Sequence, residues 1–418
     1  MENSKITLRP YQKDAVDRLL DFNKACMEAP CGAGKSIMIA EIARRLQDQK
    51  ILMLVPSKEL CEQNLEKLNL LGVPTTVYSA SMNQKNLSRI TLGTPLSLVK
   101  AETLDFDVLL IDECHFCPIE PPEPTKKKVG KKWVTVQNRP TYWKIIDKVK
   151  PKRIYGFTGT PYRICSKSIR VDWQKFYSIS TIKHIGVLWK NMVQSISITE
   201  LQNMGYLSRT HYHVWDVDYS RFRFTSSGEV KDDDVRRFEN ETTDELLATI
   251  KHALRAHQKL AKVVVFVNSI NYVDYITNRL QDDSVRAGAI HSKTKKKDRE
   301  AIVDSFKNGD LQVIVNDTVV QVGFDSPNIT DVVWAKLTSS PNVYVQSIGR
   351  GLRKMEGKLA VEVYDIAGSF NKFGPVEDIC SVQDNEKWEV SAKGRIISGL
   401  EMKTLLTRTP KKLDKKEH

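Results

Sequence analysis

The sequence predicts an α/β fold in which two parallel sheets, each flanked by helices, follow one another in a chain of 418 residues. Two blocks of short apolar runs alternate with amphipathic helical patterns, which is typical of parallel sheets covered by helices. The runs are 25–29, 51–55, 108–111 and 154–157 in the first block, and 263–267, 313–315, 332–334 and 361–364 in the second. This length suits two to four domains of about 100 to 200 residues.

The two blocks set the domain boundaries that we expect. These are a first domain over 1–165, a connector over 166–240, a second domain over 241–370 and a basic C-terminal extension over 371–418. Residues 241–262 have a helical pattern, whereas 173–219 are irregular and aromatic. The tail from about Asn371 has weak periodicity, so we expect a frayed or solvated end.

Composition excludes several classes of protein. Apolar residues make up 41% of the chain and charged residues 28%, a balance that predicts a folded protein. No apolar run approaches the roughly 18 to 20 residues of a membrane span, and the start lacks a signal peptide, so we expect a cytoplasmic protein with no membrane partner. The seven cysteines are odd in number and scattered, which favours a reducing compartment.

A single C-x-x-C, Cys114 to Cys117, resembles half of a zinc knuckle. Zinc needs four ligands and no second C-x-x-C occurs, so we predict no zinc site. The charge balance gives a clearer functional signal. The chain carries a formal net charge of +13, and a strongly basic protein often has a polyanionic partner.

The stretch 29–36, Ala-Pro-Cys-Gly-Ala-Gly-Lys-Ser, predicts a phosphate-binding loop. Gly32, Ala33 and Gly34 would turn backbone N–H groups toward a phosphate at the start of the next helix. Lys35 adds a positive charge at the β and γ phosphates, and the Ser36 hydroxyl can bind magnesium, so ATP and Mg²⁺ are the expected cofactors. The alternative is an ordinary strand-loop-helix turn.

The run 107–115 predicts a buried strand that ends in two carboxylates. A strand end beside the phosphate-binding loop is where a nucleotide's magnesium must be held. We therefore expect Asp112 to hold the metal and Glu113 to act as the general base toward the attacking water. His115 could couple the nucleotide state to the neighbouring domain, and the alternative is a structural histidine.

With these motifs the chain resembles the superfamily 2 helicases over roughly residues 6 to 370, and Asp-Glu-Cys-His resembles their DExH box. The resemblance implies two tandem RecA-like domains. Residues 8–12 are similar to the Q motif, which implies adenine contacts by Arg9 and Gln12. Residues 55–60 and 92–95 are similar to nucleic-acid-binding segments, and 157–161 to the coupling motif. The residues implied are Ser57, Lys58 and Thr94 for the strand, and Thr158 and Thr160 for coupling.

In the second half, residues 313–327 resemble motif V, and Gln346 to Arg353 fits the pattern of motif VI. Arg350 and Arg353 are spaced one helical turn apart, so both could reach the γ phosphate from one helix face, with Gln346 a turn earlier. The alternative is a solvated basic helix face. The resemblance also implies nucleotide contacts by Gly323 and Asp325, and strand contacts by Asn268, Ser269, His291 and Thr318.

The segment 118–142 is longer than the family core needs, and it lies in a stretch, 118–153, with a net charge of +8. Its prolines resist helix, and Val129-Gly130 suggests a turn before a run that favours strand, so we predict a projecting basic hairpin in the first domain. Lys131, Lys132 and Trp133 would suit phosphate attraction and base stacking. The alternative is a flexible solvated loop.

Residues 197–206 are similar to a connector of bacterial RadD-like and phage UvsW-like helicases, which implies DNA repair, recombination or branch migration. The predicted function is an ATP-dependent DNA helicase or translocase acting on forks or branched junctions, and a monomer is compatible with it. Two alternatives stay open. One is an RNA helicase or RNA-stimulated ATPase, and the other is a non-unwinding motor subunit of a nuclease or restriction complex.

Overall fold

The computed structural model describes residues 7–118, 125–129, 132–136, 139–172, 175–225, 228–317 and 328–400. Within these ranges, inter-residue contacts divide the chain into two compact units. The first unit comprises the residues up to 161 together with 184–204 and 383–388, and the second comprises 162–183, 205–382 and the residues after 388. No helix in the described ranges is long and apolar enough to cross a bilayer.

Helices and strands alternate along most of the chain, as the sequence predicts. Up to residue 161 they are α1 (Pro10–Leu20), β1 (Lys24–Glu28), α2 (Lys35–Arg45), β2 (Ile51–Leu54), α3 (Lys58–Leu70), β3 (Thr76–Ser79), β4 (Gln84–Lys85), β5 (Ile90–Gly93), α4 (Pro95–Leu98), β6 (Val108–Asp112), β7 (Thr125–Val129), β8 (Lys132–Val136), α5 (Thr141–Val149) and β9 (Arg153–Thr158).

The elements between residues 162 and 290 are β10 (Tyr162–Asp172), β11 (Lys175–His184), α6 (Gly186–Trp189), β12 (Met192–Gln194), α7 (Ile198–Asn203), β13 (Arg209–Val214), α8 (Asp232–His257), β14 (Val263–Phe266), α9 (Ile270–Asp282) and β15 (Ala287–Ile290). The elements that follow are α10 (Lys296–Asn308), β16 (Val313–Asn316), β17 (Asp331–Trp334), α11 (Pro341–Gly349), β18 (Ala360–Asp365), α12 (Ser369–Phe373), β19 (Cys380–Asp384), β20 (Lys387–Ala392) and β21 (Arg395–Ile396).

The first unit is built on an eight-stranded sheet in the order β12-β1-β9-β6-β2-β5-β3-β4. All neighbouring strands run parallel except β3 and β4. Every residue of β2, β5 and β6 is buried, which explains their continuous apolar character. In this order β1 and β6 are separated only by β9, so the segments that follow these three strands meet at one edge.

The second unit contains a six-stranded sheet in the order β13-β18-β17-β14-β16-β15, and all its neighbouring strands are parallel. The central strands β14, β16 and β17 are buried throughout. Two tandem RecA-like domains are thus present, and the α/β prediction is confirmed. The predicted basic hairpin is also present, because β7 and β8 pair antiparallel from Thr125 opposite Val136 to Val129 opposite Lys132.

Three regions differ from the sequence-based prediction. Helix α8 begins at Asp232 rather than near 241, because three aspartates in its first turn favour a helix start there. The stretch 173–219, expected to be irregular, holds strands β11, β12 and β13. The tail expected to fray forms a three-stranded sheet, β19-β20-β21, in which Val390 and Ala392 are fully buried.

Asp365, at the end of β18, provides a stability test for the second unit. The residue is completely buried, and burial raises the pKa of its carboxyl to about 7 although backbone N–H groups such as that of Phe370 donate to it. The folded state therefore binds more protons than the unfolded state between about pH 4 and pH 7, and stability should fall as pH rises through this range.

We expect Asp365→Asn to remove the pH dependence that comes from this carboxyl. The free energy of unfolding of the second unit should then change less with pH, by up to about 1.4 kcal/mol per pH unit. Urea unfolding at intervals between pH 4 and pH 8 measures it. Asp310→Asn, at an exposed position of the same unit, is the control. Equal slopes for Asp365→Asn and the unaltered protein would contradict the assignment.

Candidate nucleotide site and nucleic-acid contacts

The candidate nucleotide site lies at the carboxyl edge of the first sheet. Strand β1 leads into the loop before α2, β6 ends at Asp112, and β9 ends at Thr158. In open parallel sheets, ligands bind beyond the carboxyl ends of the strands. The fold therefore brings the predicted phosphate-binding loop, acidic pair and coupling residues to one edge.

The phosphate-binding loop has the backbone that its glycines allow. Gly32 and Gly34 have φ values of 83° and 80°, in the left-handed region, and Gly34 is the N-cap of α2. Lys35 and Ser36 begin this helix. Because the first N–H groups of a helix have no partner within it, the loop and helix start form an anion-binding site of the kind that a phosphate needs.

Gln12 and Tyr11, at the start of α1, donate hydrogen bonds to the backbone of this loop. Gln12 Nε2 donates to the carbonyl of Ala33 at 2.9 Å, and the Tyr11 hydroxyl donates to the same carbonyl at 3.0 Å. Gln12 Oε1 accepts from the backbone N–H of Arg9 at 2.9 Å. The structure therefore places Gln12 and Arg9 beside the loop, and it adds Tyr11, which the sequence motif did not single out.

Lys35 and the acidic pair form the charged centre of the site. Lys35 Nζ lies 3.0 Å from Asp112 Oδ1 and forms a second ion pair with Glu113 Oε1. The backbone N–H of Glu113 donates to Asp112 Oδ1 at 2.9 Å. Glu113 has a φ of 48°, a left-handed conformation that is strained for a non-glycine residue and turns the chain sharply after β6.

Burial and charge act in opposite directions on these groups. Burial lowers the pKa of Lys35, but the carboxylates of Asp112 and Glu113 outweigh it, and the net pKa is raised. Burial raises the pKa of Glu113, but Lys35 and then His115 lower it well below its usual range. Glu113 is therefore a carboxylate at neutral pH, able to accept a hydrogen bond from water.

The donor set fits a magnesium nucleotide. Glu113 Oε2 is buried with His115 Nδ1 3.2 Å away, and a carboxylate oxygen has two lone pairs, so it can still accept a hydrogen bond from a water molecule. Mg²⁺ commonly uses one or two protein oxygens and completes its shell with water and phosphate, and Ser36 and Asp112 provide such oxygens here. Within the described ranges no group of three or more His, Cys, Asp and Glu residues could hold a metal by itself.

The predicted coupling residues are in contact with one another. His115 Nδ1 lies 2.8 Å from the Thr158 hydroxyl, which accepts from the backbone N–H of Thr160 at 3.0 Å. His115 Nδ1 also approaches Glu113 Oε2 to 3.2 Å. His115, Thr158 and Thr160 are all buried. A continuous polar path therefore runs from Glu113 to the end of β9.

Asn64, on α3, is a site residue that sequence reasoning missed. Its side chain is 1% exposed, and its Nδ2 donates to Asp112 Oδ2 at 3.1 Å. Asn64 belongs to none of the motifs, and the only available signal was a polar residue on the apolar stripe of an amphipathic helix. The contact depends on β6 and α3 meeting in space.

In the first unit, the predicted strand-contacting residues lie at the starts of α3 and α4 and make local contacts there. Ser57 Oγ accepts from the backbone N–H of Leu60 at 3.3 Å and caps α3, and Lys58 pairs with Glu62 at 3.0 Å. The Thr94 hydroxyl bonds to Ser97 Oγ at 2.9 Å. Ser57 and Thr94 follow the adjacent strands β2 and β5, so they lie at the same edge as the nucleotide site.

In the second unit, the loops after β14 and β15 carry three predicted contacts. The Asn268 side chain exchanges two hydrogen bonds with the backbone of Leu337, at 2.8 and 2.9 Å. Ser269 Oγ donates to the carboxylate of Glu239 at 3.1 Å. His291 Nε2 lies 3.3 Å from Asp274 Oδ1. These side chains therefore hold the loops at the carboxyl edge of the second sheet.

Motif VI does not have the helical geometry that its spacing suggested. Helix α11 ends at Gly349, so Gln346 lies in its last turn and Arg350 is its C-cap. Arg353 lies beyond the helix, in a β-bridge with Leu207. The prediction that both arginines project from one helix face is wrong, because the helix ends between Gln346 and Arg353.

Lys358 stabilises the turn that follows α11. Its Nζ donates to the carbonyls of Gly351 and, at 3.0 Å, Arg353. Burial lowers the pKa of Lys358 to about 8. Sequence reasoning missed this residue because no motif includes it.

Several predicted site residues lie outside the described residues, namely Thr318, Gly323, Asp325 and Lys131, and the side chains of Lys132 and Trp133. For the hairpin, the structure describes only the backbone of β7 and β8.

Comparisons with known proteins place this geometry in a family context. Residues 5–163 match the family "Type III restriction enzyme, res subunit", and residues 241–355 match "Helicase conserved C-terminal domain". A 51.5 kDa protein of a Lactococcus phage is 23% identical over 81% of this chain and 65% of its own length. The DEAD-box ATP-dependent RNA helicase CshC of Bacillus cereus is 20% identical over 82% of this chain and 78% of its own.

Among solved structures, the ATP-dependent Type ISP restriction-modification enzyme LlaBIII bound to DNA matches 86% of this chain and 27% of its own, with a TM-score of 0.58 and 16% identity. At this identity the likeness shows the fold. The chain spans between about half and two thirds of the length of the first curated relatives that it matches.

Gly34 tests the phosphate-binding loop directly. A Cβ at this position would lie 2.4 Å from Gln12 Nε2, and the φ of 80° adds strain of about 1 to 2 kcal/mol for any other residue. We expect Gly34→Ala to weaken binding of a fluorescent ATP analogue at least tenfold, as measured by equilibrium titration.

Gly72→Ala is the matched control, because Gly72 has a φ of 68° and a Cβ added there would meet no atom within 4 Å. It carries the same backbone strain without a collision and should bind ATP normally. A Gly34→Ala protein with unaltered affinity, or equal losses in both variants, would refute the assigned role of this loop.

Proposed function

Since the chain carries the two tandem motor domains of a superfamily 2 helicase, we propose that it hydrolyses ATP to translocate on and remodel DNA, with forked or branched duplexes as its substrate. The observation that carries this proposal is the Lys35, Asp112 and Glu113 cluster at the mouth of the phosphate-binding loop. It unites an anion-binding loop with the carboxylates that magnesium and an attacking water require.

Each residue of the cluster has a separate role in this proposal. Lys35 would exchange its carboxylate partners for the β and γ phosphates, while Ser36 and Asp112 would hold Mg²⁺, which neutralises charge on the phosphates when bound. Glu113 would accept a proton or hydrogen bond from the attacking water through Oε2. Arg350, Arg353 and Gln346 are proposed to stabilise the charge that develops on the γ phosphate, and Gly323 and Asp325 to contact the nucleotide.

One observation supports DNA as the polymer: a solved structure of the same fold, the restriction-modification enzyme LlaBIII, is bound to DNA. The net charge of +13 favours binding to a phosphate backbone of either DNA or RNA. The strand contacts proposed are Ser57, Lys58, Thr94, Asn268, Ser269, His291 and Thr318, with Lys131, Lys132 and Trp133 of the hairpin. We propose a bacterial or phage-infected cell as the setting, because a phage protein is among the relatives.

A second candidate function is favoured by other comparisons. The match to a restriction-enzyme subunit family and to a restriction-modification enzyme favours a motor that supplies translocation to a nuclease partner without unwinding. The match to an RNA helicase keeps RNA as an alternative polymer. Rates of ATP hydrolysis and strand separation on different DNA and RNA substrates distinguish the DNA helicase, the restriction-type motor and the RNA helicase.

We expect ATP hydrolysis to be stimulated by DNA and unwinding to be fastest on forked or four-way junctions, measured against linear duplex and RNA duplex. Replacing residues 119–138 with a short Gly-Ser linker should reduce junction unwinding at least fivefold while DNA-stimulated hydrolysis remains, because the hairpin is proposed to act as a wedge at the strand junction.

Preferential stimulation by RNA would favour the RNA alternative, and translocation without strand separation would favour the restriction-type motor. Equal unwinding of every substrate by both proteins would contradict a wedge.

Glu113→Gln tests the proposed base. The amide keeps the size of the side chain but is a poor proton acceptor, so ATP should still bind while turnover falls at least a hundredfold. Single-turnover hydrolysis and fluorescent-analogue binding measure the two quantities. Glu102→Gln, at an exposed position of the same unit, is the control, and turnover near normal in Glu113→Gln would exclude Glu113 as the base.

A further inference from the structure

Asn64 connects helix α3 to the carboxylate of Asp112. It lies in the second turn of the helix, and its side chain is enclosed between α3 and the end of β6. Its Nδ2 donates to two acceptors, the carbonyl of Leu60 at 2.9 Å and Asp112 Oδ2 at 3.1 Å. A carbonyl oxygen and a carboxylate oxygen accept hydrogen bonds, so the nitrogen side of the amide must face them.

Together, three donors fix the orientation of Asp112. Asn64 holds Oδ2, whereas Lys35 Nζ and the backbone N–H of Glu113 hold Oδ1. The contacts to Oδ1 come from the phosphate-binding loop and from the residue that follows β6. The contact to Oδ2 is the one that comes from α3. Movement of α3 is therefore transmitted to the carboxylate through Asn64.

The start of α3 is a place where a nucleic-acid strand would act. Ser57 and Lys58 stand at its N-terminus, and Asn64 follows Ser57 by seven residues, which is about 10 Å along a helix. A helix of this length moves as one body, because its backbone hydrogen bonds run through both positions. A phosphate that shifts the N-terminus of α3 would therefore also shift Asn64.

One further observation points to the nucleotide side. Asn64 Oδ1 is buried without a hydrogen-bond partner among the described residues. A buried acceptor is energetically unfavourable unless a donor reaches it. Waters in the shell of a magnesium ion are donors, and Asn64 lies against the carboxylate that is proposed to hold this ion.

We propose that Asn64 is a positioning residue through which strand binding at α3 and magnesium-nucleotide binding at Asp112 strengthen each other. The inference rests on the proposed function, and it adds a physical link between the two ligands. By linkage, a bound strand must raise the affinity for the magnesium nucleotide by the same factor as the magnesium nucleotide raises the affinity for the strand.

The test is the Mg²⁺ concentration at which half of a fluorescent ADP analogue is bound, measured with and without single-stranded DNA. In the unaltered protein, DNA should lower this midpoint. In Asn64→Leu, which has a similar volume and no donor, the midpoint without DNA should rise about tenfold, and DNA should no longer lower it. Binding of the analogue in EDTA should stay within twofold, because Asn64 is proposed to act through the metal carboxylate.

Asn69→Leu is the control on the same helix, because Asn69 is exposed. Asn64→Ala is a second variant that cannot overfill the site, and thermal unfolding of both buried variants reports whether they fold. In an Asp112→Asn background, Asn64→Leu should have no further effect on the midpoint, since residues that act through one another are not additive.

A midpoint unchanged in folded Asn64→Leu and Asn64→Ala would overturn the inference, and so would a raised midpoint that DNA still lowers as in the unaltered protein. These results are distinct from failure of the proposed function. That failure would appear in the unaltered protein, as absence of magnesium-dependent nucleotide binding or of DNA binding.

Discussion

The ammonium group of Lys35, held between the carboxylates of Asp112 and Glu113, is the interaction on which the first unit's site depends. Three charges in a mostly buried space cost desolvation energy that only close pairing offsets. The pairing requires β1 and β6 to end at the same level, with β9 between them. The order of the sheet is therefore what allows a buried lysine and two buried carboxylates to coexist.

Local sequence was sufficient for the parts of the site that lie within one motif. The loop before α2, the acidic pair and the threonines at the end of β9 occupy the edge that parallel strands predict, because chemistry and spacing are both encoded within a few residues. Asn64 and Tyr11 could not be found in this way. Each acts on a residue more than twenty positions away, Asp112 and Ala33, so its role exists only after the chain has folded.

The second unit shows where a spacing rule misleads. A spacing of three to four residues places two polar side chains on one face of a helix only if the helix includes both residues. Here α11 ends at Gly349, before both arginines. Gly351 explains why the chain turns so tightly, because a Cβ there would lie 2.9 Å from Val361 Cγ2 and 3.0 Å from Val332 Cγ2. Close packing against β17 and β18 thus fixes the turn, and Lys358 binds its carbonyls.

The proposed magnesium site gives a physical reason for an amide, rather than a second cation, beside Asp112. A cation at Asn64 would compete with magnesium for the carboxylate and hold it by charge over several ångströms. An amide binds one oxygen through a short directional hydrogen bond, so a small shift of α3 changes the orientation of the carboxylate without altering the net charge of the site. In the proposed mechanism, Lys35 would then exchange carboxylate for phosphate while the position of Asp112 would still depend on the helix that begins at Ser57.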